Sequence, residues 1–540
     1  MTVVAWRRPG LVGLGLLCGV AWGGLLCRVG VHVTSDSASY FLSSLRLGWG
    51  QAAAISPSWP PLYPVVLWLL GGYPTHAAAL LAGVSAAMLC VGVGLIAHQT
   101  TRSVLASAAA VVFCCVWGPV LFVFRYAWTE PLYAGLAILH IAAVTAHIRS
   151  KKLSHYALAA AAVSAAATTR YIGESMILVF GLYTLVHLIR QRAGWRAWGQ
   201  HAAAALIPML PLLLWLWSNH HATGHIHGPR KPSVTPLSEN VRLLASSLSE
   251  QLWATPLMAA AVGGAVVLLV GLHWRERDRL GTRAGRYALA IAAAYCAALL
   301  YATSTVFIDQ ISYRFTAPLL PLLLATLVSA VGGAMTALPA RSAAGLRWGL
   351  VALLATAALG NRPSVATALE PIRASATGGS GHELAGFDQS QTAAAVNALL
   401  VERLRDNHAY SAAVIVQHRS GHKSMGMWTR ASILGRGGLS LTAFESYRKK
   451  NLRLALTLDG QPRTLNAWLH TTLSTPQHIA GELSDMLDQN NTDEVLVFTR
   501  RRLLQKLGVA GEDLANLGSE AIRCTADAPI DSYLVYTCRR

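Results

Sequence analysis

Acidic residues are scarce in the first 360 residues of this chain, which hold only eight of its 25 Asp and Glu residues. Charged residues make up 13% of the 540 residues, and hydrophobic residues make up 54%. Because an ordinary soluble domain carries about 25% charged residues, this composition excludes a wholly soluble protein. The other seventeen acidic residues follow residue 360. The chain is therefore predicted to combine a membrane domain, residues 1–360, with a soluble C-terminal domain.

Sequence signatures of metal and nucleic-acid binding are also missing. The eight cysteines show no zinc or redox spacing, although Cys524 and Cys538 could pair in an oxidising compartment. The formal net charge of +19 comes without a basic and aromatic nucleic-acid motif. Lys and Arg also accumulate in the cytoplasmic loops of membrane proteins, so we expect no nucleic-acid partner.

Long apolar runs are what the chain has instead. A spanning helix needs about 20 predominantly apolar residues. The eleven candidate runs are residues 11–27, 76–97, 104–124, 131–148, 155–169, 172–190, 201–217, 255–273, 287–307, 315–337 and 346–360. A shorter apolar run, residues 62–70, is typical of an interfacial or re-entrant helix. The predicted fold class is a mainly α polytopic membrane protein with about eleven transmembrane helices.

The distribution of basic residues predicts how these helices are oriented. Lys and Arg cluster in loops such as 149–152 and 275–286, which lie inside if the N-terminus is cytoplasmic. The first loop, residues 28–75, and everything after residue 360 then lie outside. Six of the eight acidic residues of the membrane domain fall on that outer side: Asp36, Glu130, Glu174, Glu239, Glu250 and Asp309. We therefore expect a functional site at the outer face.

The part of the chain after residue 360 has the pattern of a small soluble domain. A linker, residues 361–390, leads into a domain at residues 391–540. Helix patterns at 391–405, 476–489 and 500–507 alternate there with strand patterns at 412–417, 494–499 and 533–537. This alternation predicts an α/β domain on the extracytoplasmic side.

Asp36 is the first acidic residue of the chain and the main catalytic candidate. It follows the first apolar run, in the predicted outer loop 28–75. A carboxylate there can act as general base for an acceptor hydroxyl or amine; alternatively, it caps an amphipathic helix that begins at this point. Tyr40 lies four residues later, on the same helix face. Tyr63 lies in the proline-rich run 60–64, where proline fixes the backbone.

Further polar residues fall on the predicted outer side in three groups. The first contains Arg125, Thr129 and Glu130. Thr129 can cap the following helix, and Glu130 either complements the helix dipole or adds a second carboxylate to the site. The other two groups contain the pairs Arg170–Tyr171 and Tyr313–Arg314. These arginines can bind a phosphate as forked donors, although Arg170 could instead snorkel to the membrane surface.

These groups, in this order, resemble the GT-C fold glycosyltransferases that use polyprenyl-phosphate sugars. The most similar branch comprises the bacterial relatives of protein O-mannosyltransferases and aminoarabinose transferases. The resemblance covers about residues 1–360. It rests on Asp36-Ser-Ala-Ser-Tyr40, Pro60-Pro-Leu-Tyr-Pro64, Thr129-Glu130-Pro131-Leu132, Thr169-Arg170-Tyr171-Ile-Gly173 and Tyr313-Arg314-Phe-Thr-Ala-Pro-Leu-Leu-Pro321.

The resemblance implies an inverting sugar transfer from a polyprenyl-phosphate donor to a lipid, protein or polysaccharide acceptor. The reaction would take place at the outer face of the bacterial cytoplasmic membrane. It implies Asp36 as catalytic base and outward arginines at the donor phosphate. Glu130, the candidate second carboxylate, is the other residue expected to be catalytic. The residues expected to bind phosphate are Arg125, Arg170 and Arg314, and those expected to bind substrate are Tyr40, Tyr63, Tyr171 and Tyr313.

Other possibilities stay open at this point. No cofactor is firmly indicated, but a divalent metal is possible, and the outer loop contains His220, His221, His225 and His227. The long loop 218–253 also suits an O-antigen ligase or polymerase. A lipid-linked-sugar transporter is a further alternative, although transporters usually place ionisable residues near the bilayer midplane, where these spans carry almost none.

Overall fold

The computed structural model shows a chain of two compact units. One comprises Met1–Val31, Ile55–Gly72 and His76–Leu369, and the other comprises His32–Ala54, Tyr73–Thr75 and Glu370–Arg540. The structure describes residues 9–29, 31, 35–48, 55, 57–71, 74–230, 232–253, 256–275, 279–306, 311–360, 389–406, 409–415, 439–448, 451–459, 461–470, 481, 483–488, 494–499, 522–527, 529 and 534–539.

The secondary structure described for the first unit is helical, apart from an isolated β-bridge between Pro232 and Val306. Its helices are α1 (Pro9–Val29), α3 (Leu62–Leu69), α4 (Pro74–Thr101), α5 (Val104–Cys115), α6 (Gly118–Phe124), α7 (Glu130–Ser150), α8 (Leu153–Thr169), α9 (Glu174–Arg190), α10 (Trp195–Thr223), α11 (Leu237–Trp253), α12 (Pro256–Arg275), α13 (Leu280–Thr305), α14 (Tyr313–Thr316), α15 (Leu319–Ala337) and α16 (Ala340–Gly360). Each of the eleven apolar runs, and the short run 62–70, coincides with one or two of these helices. The predicted polytopic helical fold is thereby confirmed.

Eight described helices are long and apolar enough to cross a membrane by length and composition, and a ninth span results if α5 and α6 are counted together. The axes of α5 and α6 differ in direction by 55° across a short break. The other two predicted spans correspond to α8, which has 17 residues, and to the shorter apolar helix Met258–Gly271 within α12. A helix of 17 residues rises about 25 Å, slightly less than a bilayer core of about 30 Å.

Small residues and buried polar contacts hold the helices of this unit together. Gly281 of α13 lies directly against the backbone of Gly333 in α15, and a Cβ at Gly281 would collide with it. Close backbone approach at small residues is the usual means of helix packing in membranes. The fully buried His140 of α7 bonds to the Ala159 carbonyl oxygen through Nδ1 (2.8 Å) and to the Tyr287 hydroxyl through Nε2 (2.6 Å). This histidine therefore links α7, α8 and α13.

The second unit contains α2 (Ser35–Gly48), α17 (Gln389–Asp406) and a seven-stranded sheet. The strands are β1 (Ala409–Ile415), β2 (Leu439–Arg448), β3 (Asn451–Leu458), β4 (Gln461–His470), β5 (Glu494–Thr499), β6 (Arg523–Ala526) and β7 (Leu534–Arg539). Their order across the sheet is β2-β3-β4-β1-β5-β7-β6, with β1 parallel to β4 and β5 and the other pairs antiparallel.

The predicted α/β character of this part is confirmed, with one omission. The strand patterns at 412–417, 494–499 and 533–537 correspond to β1, β5 and β7, and α17 matches the helix predicted at 391–405. The strands β2, β3 and β4 were not predicted. Residues 361–388 of the predicted linker and the predicted helix 500–507 lie outside the described residues.

A disulfide joins Cys524 of β6 to Cys538 of β7. The two cysteines are directly paired in the antiparallel register of these strands. The pairing considered from the sequence is therefore present in the structure.

Candidate functional site

Three helix ends of the first unit bring together charged residues that are distant in the sequence. Glu130 is the first residue of α7, and Pro131 follows in the first turn, where its missing N–H costs nothing. Arg170 follows α8 in an extended conformation (φ −148°), so its side chain leaves the helix direction. Arg314 lies in the single turn of α14. Glu130 thereby meets both arginines.

The contacts of Glu130 define the centre of the site. Its Oε1 atom accepts hydrogen bonds from Nη1 of Arg170 and Nε of Arg314. The Glu130 side chain is fully buried, whereas 14% of the Arg170 side chain and 12% of the Arg314 side chain are exposed. A buried carboxylate is tolerated only when it is paired and hydrogen-bonded. The two guanidinium groups meet that need and leave the three-residue cluster with a positive formal charge.

Thr129 belongs to this cluster and does not cap α7. Its hydroxyl accepts a hydrogen bond from Arg170 Nη1 (3.2 Å) and donates one to Glu130 Oε2 (3.3 Å). Its backbone is helical (φ −76°, ψ −20°), and its side chain makes no capping hydrogen bond. Capping residues usually have an extended backbone. The prediction that Thr129 caps the helix was therefore wrong, since the ion pairs of its neighbour recruit the hydroxyl.

Aromatic rings line the guanidinium groups. The Arg314 Cζ atom lies 4.7 Å from the ring centroid of Trp128. The Trp128 ring stacks on Tyr126 at 4.0 Å, and the Arg125 Cζ atom lies 5.4 Å from the Tyr126 centroid. Phe315 lies 5.6 Å from the Cζ atom of Arg170 and 5.7 Å from that of Arg314. Rings in these positions stabilise cations and connect Arg125 to the cluster through two stacked side chains.

Arg125 is the most deeply buried of the three arginines, with 3% exposure. It follows α6 directly, and its Cζ atom lies 4.3 Å from the Phe122 ring centroid. Its buried Nε and Nη1 atoms have no hydrogen-bond acceptor within the part of the chain that the structure describes. Leaving buried charged donors unsatisfied costs free energy, so this residue is suited to an anionic ligand.

Tyr171 anchors the proline-rich loop to the helices. Its hydroxyl donates a hydrogen bond to the Pro57 carbonyl oxygen (2.9 Å). The Tyr171 hydroxyl oxygen itself accepts hydrogen bonds from Trp215 Nε1 (2.9 Å) and Asn219 Nδ2 (3.1 Å). The donor and both acceptor positions of the hydroxyl are thus engaged within the protein. Any substrate contact of Tyr171 would have to use the ring.

The loop after α10 contacts the same segment. Arg230 Nη2 donates to the Ser58 carbonyl oxygen (2.7 Å). Gly228 has φ +73°, and a Cβ there would lie 2.8 Å from the Pro57 carbonyl carbon. His227 Nε2 lies 2.9 Å from Glu174 Oε1. His220 and His221 lie in the last turn of α10, and His225 and His227 follow it. Among the residues placed by the structure, these four histidines form no group of three close metal-ligand atoms.

The remaining predicted site residues lie in different environments. Tyr63 of α3 is buried, and the exposed Tyr313 ring lies 6.3 Å from that of Phe122. Asp36 is partly exposed in the first turn of α2, and Tyr40 is buried in the same helix. Both belong to the second unit, so their nearness to the arginines stays a prediction. Asp309 lies outside the described residues.

No protein-family model matches the chain, and no curated protein matches it. Two crystal structures of ArnT from Cupriavidus metallidurans align with 98% of this chain and 98% of their own at 13% sequence identity. The TM-score is 0.57 for ArnT bound to undecaprenyl phosphate and 0.55 for the apo state. This chain has the ArnT fold. The GT-C fold expected from the sequence is thereby confirmed, and the alignment with ArnT includes the C-terminal domain as well as the membrane helices.

Sequence reasoning missed several residues that shape the site within this ArnT fold. Trp128 and Phe315 carry no motif of their own, although each adjoins a predicted polar group. Trp215 and Asn219 lie within or beside the apolar run of α10 and give no signal of their contact with Tyr171. A polar Asn at the end of an apolar helix was the one available hint, because buried polar groups need partners.

Proposed function

We propose that this chain is an integral membrane glycosyltransferase that moves a sugar from a polyprenyl-phosphate donor to an acceptor. The reaction would take place at the outer face of the bacterial cytoplasmic membrane. The observation that carries the proposal is the fully buried Glu130 carboxylate shared by Arg170 and Arg314, in a chain with the ArnT fold. Undecaprenyl phosphate, the ligand of one ArnT structure, is a polyprenyl phosphate.

The arginines supply the chemistry that a departing phosphate needs. Arg125, Arg170 and Arg314 carry three positive charges against the single negative charge of Glu130. Donors fixed in a low-dielectric site stabilise developing negative charge more strongly than water does. Glu130 would hold the Arg170 and Arg314 guanidinium groups in place and would act as a positioning residue. Tyr63 and Tyr313 would contact substrate, as would Tyr40 and the ring of Tyr171.

The proposed reaction is a single displacement. Asp36 takes the proton from an acceptor hydroxyl or amine, and the acceptor atom forms a bond to the anomeric carbon. The bond between that carbon and the phosphate oxygen breaks, and the electron pair leaves with the polyprenyl phosphate. Attack from the face opposite the leaving group inverts the anomeric centre. The acceptor would be a lipid, a protein or a polysaccharide.

The test of the proposed base is the substitution Asp36→Asn in the purified full-length protein. Loss of a general base typically slows a reaction by about 10²–10⁴-fold, and we expect that decrease in sugar transfer from a polyprenyl-phosphate donor. Glu239→Gln is the matched control, because Glu239 is a partly exposed acid paired with Arg242 on the surface helix α11. Wild-type transfer by Asp36→Asn would overturn the assignment of the base.

A second variant tests the phosphate site separately. Removing a charged hydrogen bond costs about 1.5–3 kcal/mol, so Arg314→Ala should weaken donor binding by about 10- to 100-fold. Arg242→Ala, at the exposed pair, should bind the donor as the wild type does. If Arg314→Ala bound the donor with unchanged affinity, Arg314 would not bind the donor phosphate. Glycolipid and glycoprotein analysis of a deletion strain would then identify the sugar and acceptor of the active enzyme.

A further inference from the structure

Three histidines from different helices meet at the opposite end of α7 from Glu130. His147 lies in the last turn of α7, His187 in the last turn of α9 and His201 near the start of α10. One ring nitrogen of each lies within 4.8 Å of the others. At 1.5 Å per residue, His147 is about 25 Å from Glu130 along the helix. This His147–His187–His201 cluster is therefore separate from the candidate functional site.

The hydrogen bonds of two of these rings determine which nitrogen is available. His147 Nδ1 lies 3.0 Å from the Lys152 carbonyl oxygen, and His201 Nδ1 lies 2.8 Å from the Ala197 carbonyl oxygen. A carbonyl oxygen only accepts hydrogen bonds, so each Nδ1 carries the proton. In the neutral imidazole the lone pair is then on Nε2. Both Nε2 atoms are buried and lack a hydrogen-bond partner among the described residues.

This arrangement is the one that metal-binding histidines adopt. A ligating histidine usually donates its other ring N–H to a backbone carbonyl or carboxylate, which fixes the tautomer and the ring orientation. His147 is 1% exposed and His187 is 5% exposed. The Nε2 atoms of His147 and His201 are themselves buried, so water does not readily solvate those two nitrogens. Buried acceptors without a partner cost free energy, and a bound cation would remove that cost.

Tyr183 adds a fourth polar group to the same place. Its ring centroid lies 5.7 Å from that of His187 and 6.3 Å from that of His147. Its buried hydroxyl has no partner within the described part of the chain. Lys151 and Arg283 lie near enough to act electrostatically on His187. Their positive charge opposes the binding of a cation, and an anionic ligand such as hydroxide would offset part of that repulsion.

We propose that His147, His187 and His201 bind one Zn²⁺ ion, with a water or hydroxide as the fourth ligand, hydrogen-bonded by Tyr183. Imidazole nitrogen is a preferred ligand of Zn²⁺ at about 2.0–2.1 Å, usually in tetrahedral geometry. The absence of carboxylates from the described cluster disfavours Ca²⁺ and Mg²⁺, which take oxygen ligands. The ion connects the ends of α7, α9 and α10 and fixes the short connection between α9 and α10.

The test uses the full-length protein, purified in detergent without a histidine tag. The protein is stripped with a chelator and incubated with Zn²⁺, and elemental analysis follows removal of unbound metal. We expect one zinc per chain and a higher melting temperature with zinc, because a ligand of the folded state stabilises it. His147→Ala and His201→Ala should each weaken zinc binding by more than about tenfold. Even the mutation of a residue that only hydrogen-bonds a metal ligand typically lowers metal affinity by about 10- to 100-fold. His221→Ala, at an exposed histidine of α10, should retain zinc.

Measurements on the wild type keep the proposal testable if a variant does not fold. Co²⁺ bound by three imidazoles gives a tetrahedral visible spectrum without thiolate charge-transfer bands. Such bands would instead assign the metal to Cys18, Cys90 and Cys115, whose sulfur atoms also lie within 4.8 Å of one another. That result would overturn the proposal, as would zinc binding that Cys90→Ala abolishes and the histidine variants leave intact. Absence of stoichiometric zinc in the wild type would also overturn it.

Discussion

The carboxylate of Glu130 is shared between two guanidinium groups without access to solvent. Its role in the structure is therefore electrostatic, because each arginine is held in place by the same negative charge. Replacing a whole buried ion pair by apolar residues can leave the stability unchanged. Removing only one partner leaves the remaining buried charges uncompensated, which is destabilising. The loss of Glu130 should consequently affect both the stability of the first unit and the arrangement of its arginines.

We expect Glu130→Gln to reduce the free energy of unfolding by about 3–5 kcal/mol, the usual cost of breaking a buried pair. The amide keeps a similar size and can still accept a hydrogen bond, so the change isolates the charge. Thermal unfolding of the detergent-purified protein measures the effect. Glu239→Gln, at an exposed pair on α11, should leave the melting temperature nearly unchanged. Equal melting temperatures for Glu130→Gln and the wild type would contradict the role given to this charge.

The sequence identified the charged residues of this site but not their contacts. Arg170 and Arg314 stood out because charges beside apolar runs are costly and often functional. Their common partner could not be read from the sequence, since Arg314 lies 184 residues after Glu130. Local rules assigned Thr129 to helix capping, and a tertiary contact took the hydroxyl instead. The three clustered histidines were missed for the same reason, because no local spacing connects them.

Among the elements, the sheet of the second unit carries a charge network that is only partly buried. Glu494 at the start of β5 accepts hydrogen bonds from the Tyr410 hydroxyl of β1 and from Arg539 of β7 (Nε, 2.7 Å). Arg403 of α17 lies 3.5 Å from the same carboxylate. Burial raises the pKa of Glu494, but these partners together outweigh burial and hold the pKa below its usual value.

This network predicts that the C-terminal unit loses stability in acid. A carboxyl group whose folded pKa is depressed stabilises the fold above its unfolded pKa of about 4.3. That contribution is lost as the pH falls from this value through the lower folded pKa. Hydrogen exchange of β5 and β7 peptides in the full-length protein, corrected for the intrinsic effect of pH, measures the loss.

Two variants make this test specific. Glu494→Gln should show weaker protection at neutral pH and a smaller further loss between pH values of about 4.5 and 3. Asp459→Asn, at an exposed pair with Arg405, should follow the wild type. An acid response of Glu494→Gln as large as that of the wild type would assign the effect to other groups.

Strand prediction in this unit succeeded where the pattern was simple. The run Glu494-Val-Leu-Val-Phe-Thr499 is short, apolar and rich in β-branched residues, which favours a strand. The hairpin of β3 and β4 was missed, although Asp459-Gly460 between them is a common hairpin turn sequence. Asp459 has φ +49°, as such turns require. The sequence therefore contains the turn of this hairpin. Pro462 and Arg463 interrupt the alternation of apolar residues that would have predicted β4.

At the scale of the whole molecule, long apolar runs made the helical membrane domain predictable. Hydropathy predicts membrane-spanning helices because the backbone polar groups of a helix in lipid must be hydrogen-bonded within that helix. The orientation of the chain stays a prediction from its basic loops. It requires that Lys151 and Lys152 face the cytoplasm and that the C-terminal unit lies outside. The Cys524–Cys538 disulfide is consistent with an oxidising compartment.

Reporter fusions test this orientation. Alkaline phosphatase fused to the C-terminus should be active, because it folds only where its disulfides form, and a green fluorescent protein at the same position should be dark. The same reporters inserted after Lys151 should behave in the opposite way. Alkylation of unreduced protein should leave Cys524 and Cys538 unlabelled. An active phosphatase after Lys151 would reverse the predicted orientation.

The single oxygen atom Oε1 of Glu130 receives both arginines, and this has a consequence for measuring their contributions. If Arg170 is removed, the whole carboxylate becomes available to Arg314, and the reverse also holds. Residues that share a partner show interaction free energies of about 0.5–3 kcal/mol in double-mutant cycles. The effects of the two arginines are thus non-additive, and each single substitution understates what the pair contributes together.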